Sequence, residues 1–228
     1  MRIPFRARSI FIVAVFASAG TAAARTQSAT LLNTVEVRQL VSRGAPADNA
    51  RLSAHFTAVA DRFAAEARRH IAMSQSFAGN PSKGFGGGMS VHCKALASLN
   101  TQSEKTAREL ASYHSNLAGG IAATPPVGGT ELQAGAGAPE PTEKELTALA
   151  AKATTAAEHH ALEEYFLMLA KRYAGQADEH VALAQAYRGT KLATAAVHHD
   201  HLAKLARDES KEATKAAQMH QDLAGVGR

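Results

Sequence analysis

The 228-residue chain has no tryptophan and a single cysteine, Cys93, and aromatic residues make up 5% of it. A lone cysteine excludes an internal disulfide framework, and with it any C-x-x-C metal cage. No apolar run approaches the roughly 20 residues that span a bilayer. Bulky β-branched and aromatic side chains are too scarce for a sheet core. The 46% apolar fraction is carried largely by 51 alanines, which favours closely packed helices over an all-β or doubly wound fold. Also missing are a phosphate-cradling glycine loop ahead of a helix, a nucleophile–base–orienter set, an H-E-x-x-H motif and the seam carboxylates of a di-iron site. The sequence therefore carries no enzyme signature.

What is present begins with charge. The formal net charge is +5, with a pI near 9.5, but Arg2, Arg6 and Arg8 stand ahead of the apolar run Ile10–Ala17 and the small residues Ala22-Ala23-Ala24. This is the layout of a secretory signal peptide over residues 1–24. Removing its three arginines from 25 Lys+Arg leaves 22 against 20 Asp+Glu, so the argument for nucleic-acid binding is lost. The remaining charges alternate in sign, as on a solvated helix face. A periplasmic or secreted protein without a transmembrane anchor is expected.

The exported part repeats itself. Leu52, Phe56, His70 and Gln75 recur as Leu162, Phe166, His180 and Gln185 at an offset of 110, and His92, Leu96 and His114 recur as His198, Leu202 and His220 at an offset of 106. Within each block the apolar positions step by three or four, the period of a helix. The expected fold is an all-α four-helix bundle of two duplicated antiparallel helical hairpins, preceded by a short extra helix. The divisions are 25–47 for the short helix (Ser28–Ser42) and loop, 48–119 for the first hairpin, 120–141 for a Gly/Pro/Ala-rich linker and 142–228 for the second hairpin. Asp48 is expected to cap the first long helix. Gly79–Gly88 reads as the first turn and Arg188–Lys191 as the second. Thr142 with Glu145 reads as a capping box opening a helix that runs on to Tyr187.

Eleven histidines are the functional clue. His70, His92, His114, His180, His198 and His220 all fall on the apolar stripes. Residues of an antiparallel hairpin that share a level have a nearly constant index sum, which sets His70 against His92 and His180 against His198. With both turns at one end, these four meet in one core layer. A second layer sets His220 beside His159 and His160, and His114 level with Asp48 and within reach of His55. Buried imidazoles must be neutral and hydrogen-bonded, or must bind something. Neutral imidazole is a preferred ligand of transition metals, and Met73, Met89 and Cys93 add soft donors near the first layer. The sequence thus predicts copper or zinc bound by His70, His92, His180 and His198 with Cys93, Met73 and Met89, and a second group at His114, His220 and His159. The same positions also suit histidines satisfied by hydrogen bonds across the core, and methionines and a cysteine that merely fill it.

Two other classes compete. Non-covalent haem between helices is weaker, because small seam residues leave little room and C-x-x-C-H is missing. A cofactor-free interaction protein of the envelope, binding another helix or forming a homodimer through a Cys93 disulfide, is the alternative. The pattern His70-x-x-Met73, Met89-Ser90-Val91-His92-Cys93-x-x-Leu96 and Tyr187-Arg188-Gly189 resembles a group of exported, His-containing helical proteins of Gram-negative bacteria that have no established activity. That resemblance covers most of the exported chain and implies export and the helical repeat. His199, where a second cysteine would stand, departs from a symmetric site.

Overall fold

In a computed structural model, the described residues are 31–80, 83–121 and 141–226. They are helical without a strand: α1 (Thr34–Arg43), α2 (Pro46–Gly79), α3 (Lys83–Ala118), α4 (Glu143–Lys152), α5 (Ala156–Arg188) and α6 (Ala195–Val226). Residues 1–24, expected as a signal peptide, and nearly all of the expected linker lie outside the described residues. No helix among the described residues is long and apolar enough to cross a membrane.

Local sequence explains most of the boundaries. Asn33 with Glu36, Thr142 with Glu145 and Thr155 with Glu158 each form a reciprocal capping box, which satisfies the free N–H groups of a first helical turn. The third of these corrects the expectation of one helix from Thr142 to Tyr187: α4 ends at Lys152 and α5 starts afresh at Ala156. α1 ends on Gly44, whose φ of 62° is the left-handed conformation that costs glycine nothing. Its start at Thr34 is later than Ser28. Asp48 does not cap α2; it lies in the first turn of that helix and takes a two-point bond from Arg43, which fastens the corner between α1 and α2. The glycine-rich stretch expected as a turn is instead helical from Lys83 onward. Gly88 there allows close approach, since a Cβ would stand 2.6 Å from the terminal methyl of Met219 on α6.

α2 packs along α3, α5 packs along α6, and α3 meets α6 between the two pairs. Contacts between α3 and α6 run in opposite senses along the chain. His92 meets Glu212, Ser103 meets Glu209, Thr106 meets His201 and His198 faces Glu109. α3 and α6 are therefore antiparallel, and the closed end of each pair lies against the open end of the other. Tyr187 at the end of α5 bonds His114 near the end of α3, while Phe77 at the end of α2 packs on His220 near the end of α6. This corrects the arrangement with both turns at one end. The short helices cross over: α1 packs on α5 as well as α2, and α4 packs chiefly on α2, where the Asn80 carboxamide donates to the carbonyls of Ala150 and Ala153.

Candidate functional site

The reversed packing redistributes the histidines. The layer of His70, His92, His180 and His198 does not assemble. His92 is partly exposed and bonds Glu212 at 2.6 Å, and His198 is partly exposed with Glu109 at 3.5 Å. Both therefore sit at the rim between α3 and α6, each beside a carboxylate of the opposite helix. His70 is fully buried, with Nε2 3.5 Å from the Tyr173 hydroxyl and Nδ1 without a partner. His180 is bonded to His199 instead.

Two aromatic nests replace that layer, one at each end of the bundle. In the first, His114 stacks on Phe56 at a centroid distance of 5.6 Å and an interplanar angle of 16°. Its Nδ1 lies 2.8 Å from Asn49 Oδ1 and its Nε2 lies 2.8 Å from the Tyr187 hydroxyl. Directions follow from the donors. Asn49 Nδ2 already donates to the carbonyls of Gly44 and Ala45, so Oδ1 must accept. His114 then donates from Nδ1 and accepts the Tyr187 proton at Nε2. One directed chain thus joins α5, α3 and the corner between α1 and α2. His55 accepts from the Leu32 backbone N–H, and His180 and His199 face each other with their Nδ1 atoms 3.2 Å apart. His199 also packs edge-on against Phe56 and tilted against Tyr187.

The second nest repeats the geometry with different chemistry. His220 stacks on Phe166 at 5.7 Å and 16°. His159 stands at the offset of 110 from Asn49, and its Nδ1 lies 3.2 Å from His220 Nδ1. Phe77 stands where the first nest has Tyr187, so no hydroxyl meets His220 Nε2, which is buried without a partner. A single missing oxygen accounts for that orphan.

Burial holds these imidazoles neutral. Desolvation lowers His55, His114 and His180 to about 4, and His70 and His220 to about 3. His199 falls in the same direction, through burial and the neighbouring His180, His114 and His55. His159 is half-buried and shifted down less strongly, so the second nest opens toward solvent through it.

Among the described residues Cys93 is not grouped with two further His, Cys, Asp or Glu side chains. Met73, Met89 and Cys93 are buried in an apolar cluster with Leu96, Phe77 and Phe166. Burial pushes the Cys93 thiol up to about 12, and with no exposed surface it cannot reach a second chain without unfolding. The disulfide-linked homodimer is thus incompatible with the folded chain. Among the described residues no three His, Cys, Asp or Glu side chains are grouped closely enough to hold a metal ion. No family model, curated protein or solved structure matches the chain.

The sequence reading missed the partnership of His199 with His180, because His199 lies one residue off the matched stripe. It also missed Glu209, a fully buried carboxyl that accepts from Ser103 and is raised to about 7 by desolvation. The offset of 106 relates Ser103 to Glu209, and that signal was available in the repeat.

Proposed function

We propose that the protein is an exported bundle of two duplicated helical hairpins, each led by a short helix, that takes up a transition metal ion for handling or storage. Its binding elements are the imidazole pairs His159–His220 and His180–His199. The observation that carries this reading is the Nδ1–Nδ1 spacing of 3.2 Å in both pairs. Two nitrogens on one tetrahedral zinc, each about 2.0–2.1 Å from it, stand about 3.3 Å apart. Each pair is therefore close to a two-nitrogen chelate, and its members are neutral at the pH where a metal competes with protons. An imidazole pair without a sulfur ligand suits Zn(II) or Cu(II) better than Cu(I). His159–His220 is the more accessible pair, and water can complete the coordination there.

The duplication is supported by the two nests, whose stacked pairs Phe56–His114 and Phe166–His220 share one geometry at positions 110 and 106 apart. Export rests on the layout of residues 1–24. The test is equilibrium dialysis of the chain from Arg25 against Zn(II) and Cu(II), with metal counted per protein. One or two equivalents are expected, and His220→Gln should remove the more accessible one. No retained metal, or retention indifferent to both His220→Gln and His199→Gln, would refute the reading.

A further inference from the structure

Between α2 and α5, under the start of α1, lies a cavity of about 480 Å³. That is within the size range of small-molecule sites, roughly 300–1,000 Å³. The backbones of α2 and α5 stay apart and only side chains join them, as Glu66 with Arg172 and His70 with Tyr173, which leaves a gap between the two helices. Its walls include Phe56, Val59 and Phe63 from α2 and Leu183 from α5, with Val37 of α1 and Leu32 just before it above.

The polar groups sit unequally. Asn100, which has no exposed surface, lines the cavity; its Nδ2 donates to the Leu96 carbonyl and the Tyr173 hydroxyl, and its Oδ1 is buried without a partner. Gln176 lines the same space, and its Oε1 is also buried without a partner. The charged groups nearby have partners within the protein: Arg172 is bonded to Glu66 at 2.8 Å, Arg62 acts electrostatically on Glu179, and Glu36 accepts from the Asn33 backbone N–H. The cavity thus offers an apolar body space and two unused acceptors, Asn100 Oδ1 and Gln176 Oε1. An acceptor buried without a donor costs roughly 1–3 kcal/mol, which a bound O–H or N–H would recover.

We infer that this cavity is a binding site for a neutral, largely apolar molecule carrying a hydroxyl or N–H donor, held by Asn100 Oδ1 and Gln176 Oε1. Neither member of the His159–His220 pair lines the cavity, whereas His180 of the second pair does, so the inference is independent of metal uptake at His159–His220. The probes are 1-naphthol, which has the donor, and naphthalene, which lacks it, titrated calorimetrically into the metal-free chain. Saturable 1-naphthol binding at least about tenfold tighter than that of naphthalene is expected. Gln176→Leu, at a partly exposed position that tolerates the change, should weaken 1-naphthol several-fold and leave naphthalene unaffected. Val59→Trp should block both probes by filling the space. Absence of saturable 1-naphthol binding, equal affinity for the two probes, or binding unchanged in Gln176→Leu would overturn the assignment. The Gln176→Leu comparison stands alone should Val59→Trp fail to fold, and a metal titration of the same sample reports separately on the His159–His220 pair, which lies outside the cavity.

Discussion

Lowering the pH from 7 to 5 should remove most of this protein's stability, and the sign follows from which state binds the proton. An unfolded histidine takes up a proton near 6.5, whereas His55, His114 and His180 resist until about 4, and His70 and His220 until about 3. Between 6.5 and those values the unfolded chain binds more protons than the native one, so stability falls as pH falls. At 1.36 kcal/mol per pH unit for a full proton, each of the five costs about 2 kcal/mol by pH 5, and together about 10 kcal/mol. Glu209 works in the opposite direction. Its folded value of about 7 lies above the ordinary 4.5, so the native state holds the extra proton, and about 2 kcal/mol is regained over the same interval. The net loss is about 8 kcal/mol, comparable with the roughly 5–15 kcal/mol that a domain possesses. Urea unfolding followed by far-ultraviolet circular dichroism at the two pH values measures it. His220→Phe, which keeps a ring against Phe166, should shrink the pH-dependent loss by about 2 kcal/mol. A urea midpoint that is the same at pH 5 and pH 7 would refute the reasoning, because it would mean that the nests admit protons without opening.

The Tyr187 hydroxyl of the first nest has no counterpart at Phe77 in the second, so paired substitutions test the hydrogen-bond chain. Tyr187→Phe leaves His114 Nε2 unsatisfied and should cost about 1–3 kcal/mol in urea unfolding. Phe77→Tyr brings a hydroxyl toward the orphan His220 Nε2 and should cost less than Tyr187→Phe; equal losses would show that the Tyr187 hydroxyl does not matter. Cys93, buried and with its thiol raised to about 12, should resist a thiol-reactive dye in the native protein and react fully in denaturant. Rapid labelling of the native chain would place Cys93 at the surface.

Helical period and alanine content made the long helices legible, because a stripe repeating every three or four residues has no other stable form in a chain so poor in β-branched side chains. The index sums also placed His220 beside His159 and His114 level with residue 48, one residue from its actual partner Asn49. Those sums describe only residues within one hairpin. The break at Ala153–Thr155 was written in Thr155-x-x-Glu158, but the apolar stripe carries on through Ala153, so period alone could not reveal it.

How the two pairs of helices pack was harder to read, and the reason is geometric. Index sums fix level inside a pair and leave open whether the second pair runs with the first or against it. If it runs with the first, α3 and α6 are parallel, and His92 and His198 share a level inside the core. If it runs against the first, the two helices cross the interface in opposite senses. A residue can then meet its own repeat partner only near the middle, and those farther out must meet something else. Ser103 bonding Glu209, 106 residues away, marks that middle. His92 and His198 lie well away from it and are left to Glu212 and Glu109. Ser103 and Glu209, 106 residues apart, would share a level in either arrangement, whereas His92 meets Glu212 and His198 meets Glu109 only when the two halves run in opposite senses. The carboxylates that stand opposite His92 and His198, Glu212 and Glu109, thus mark the orientation of the two halves.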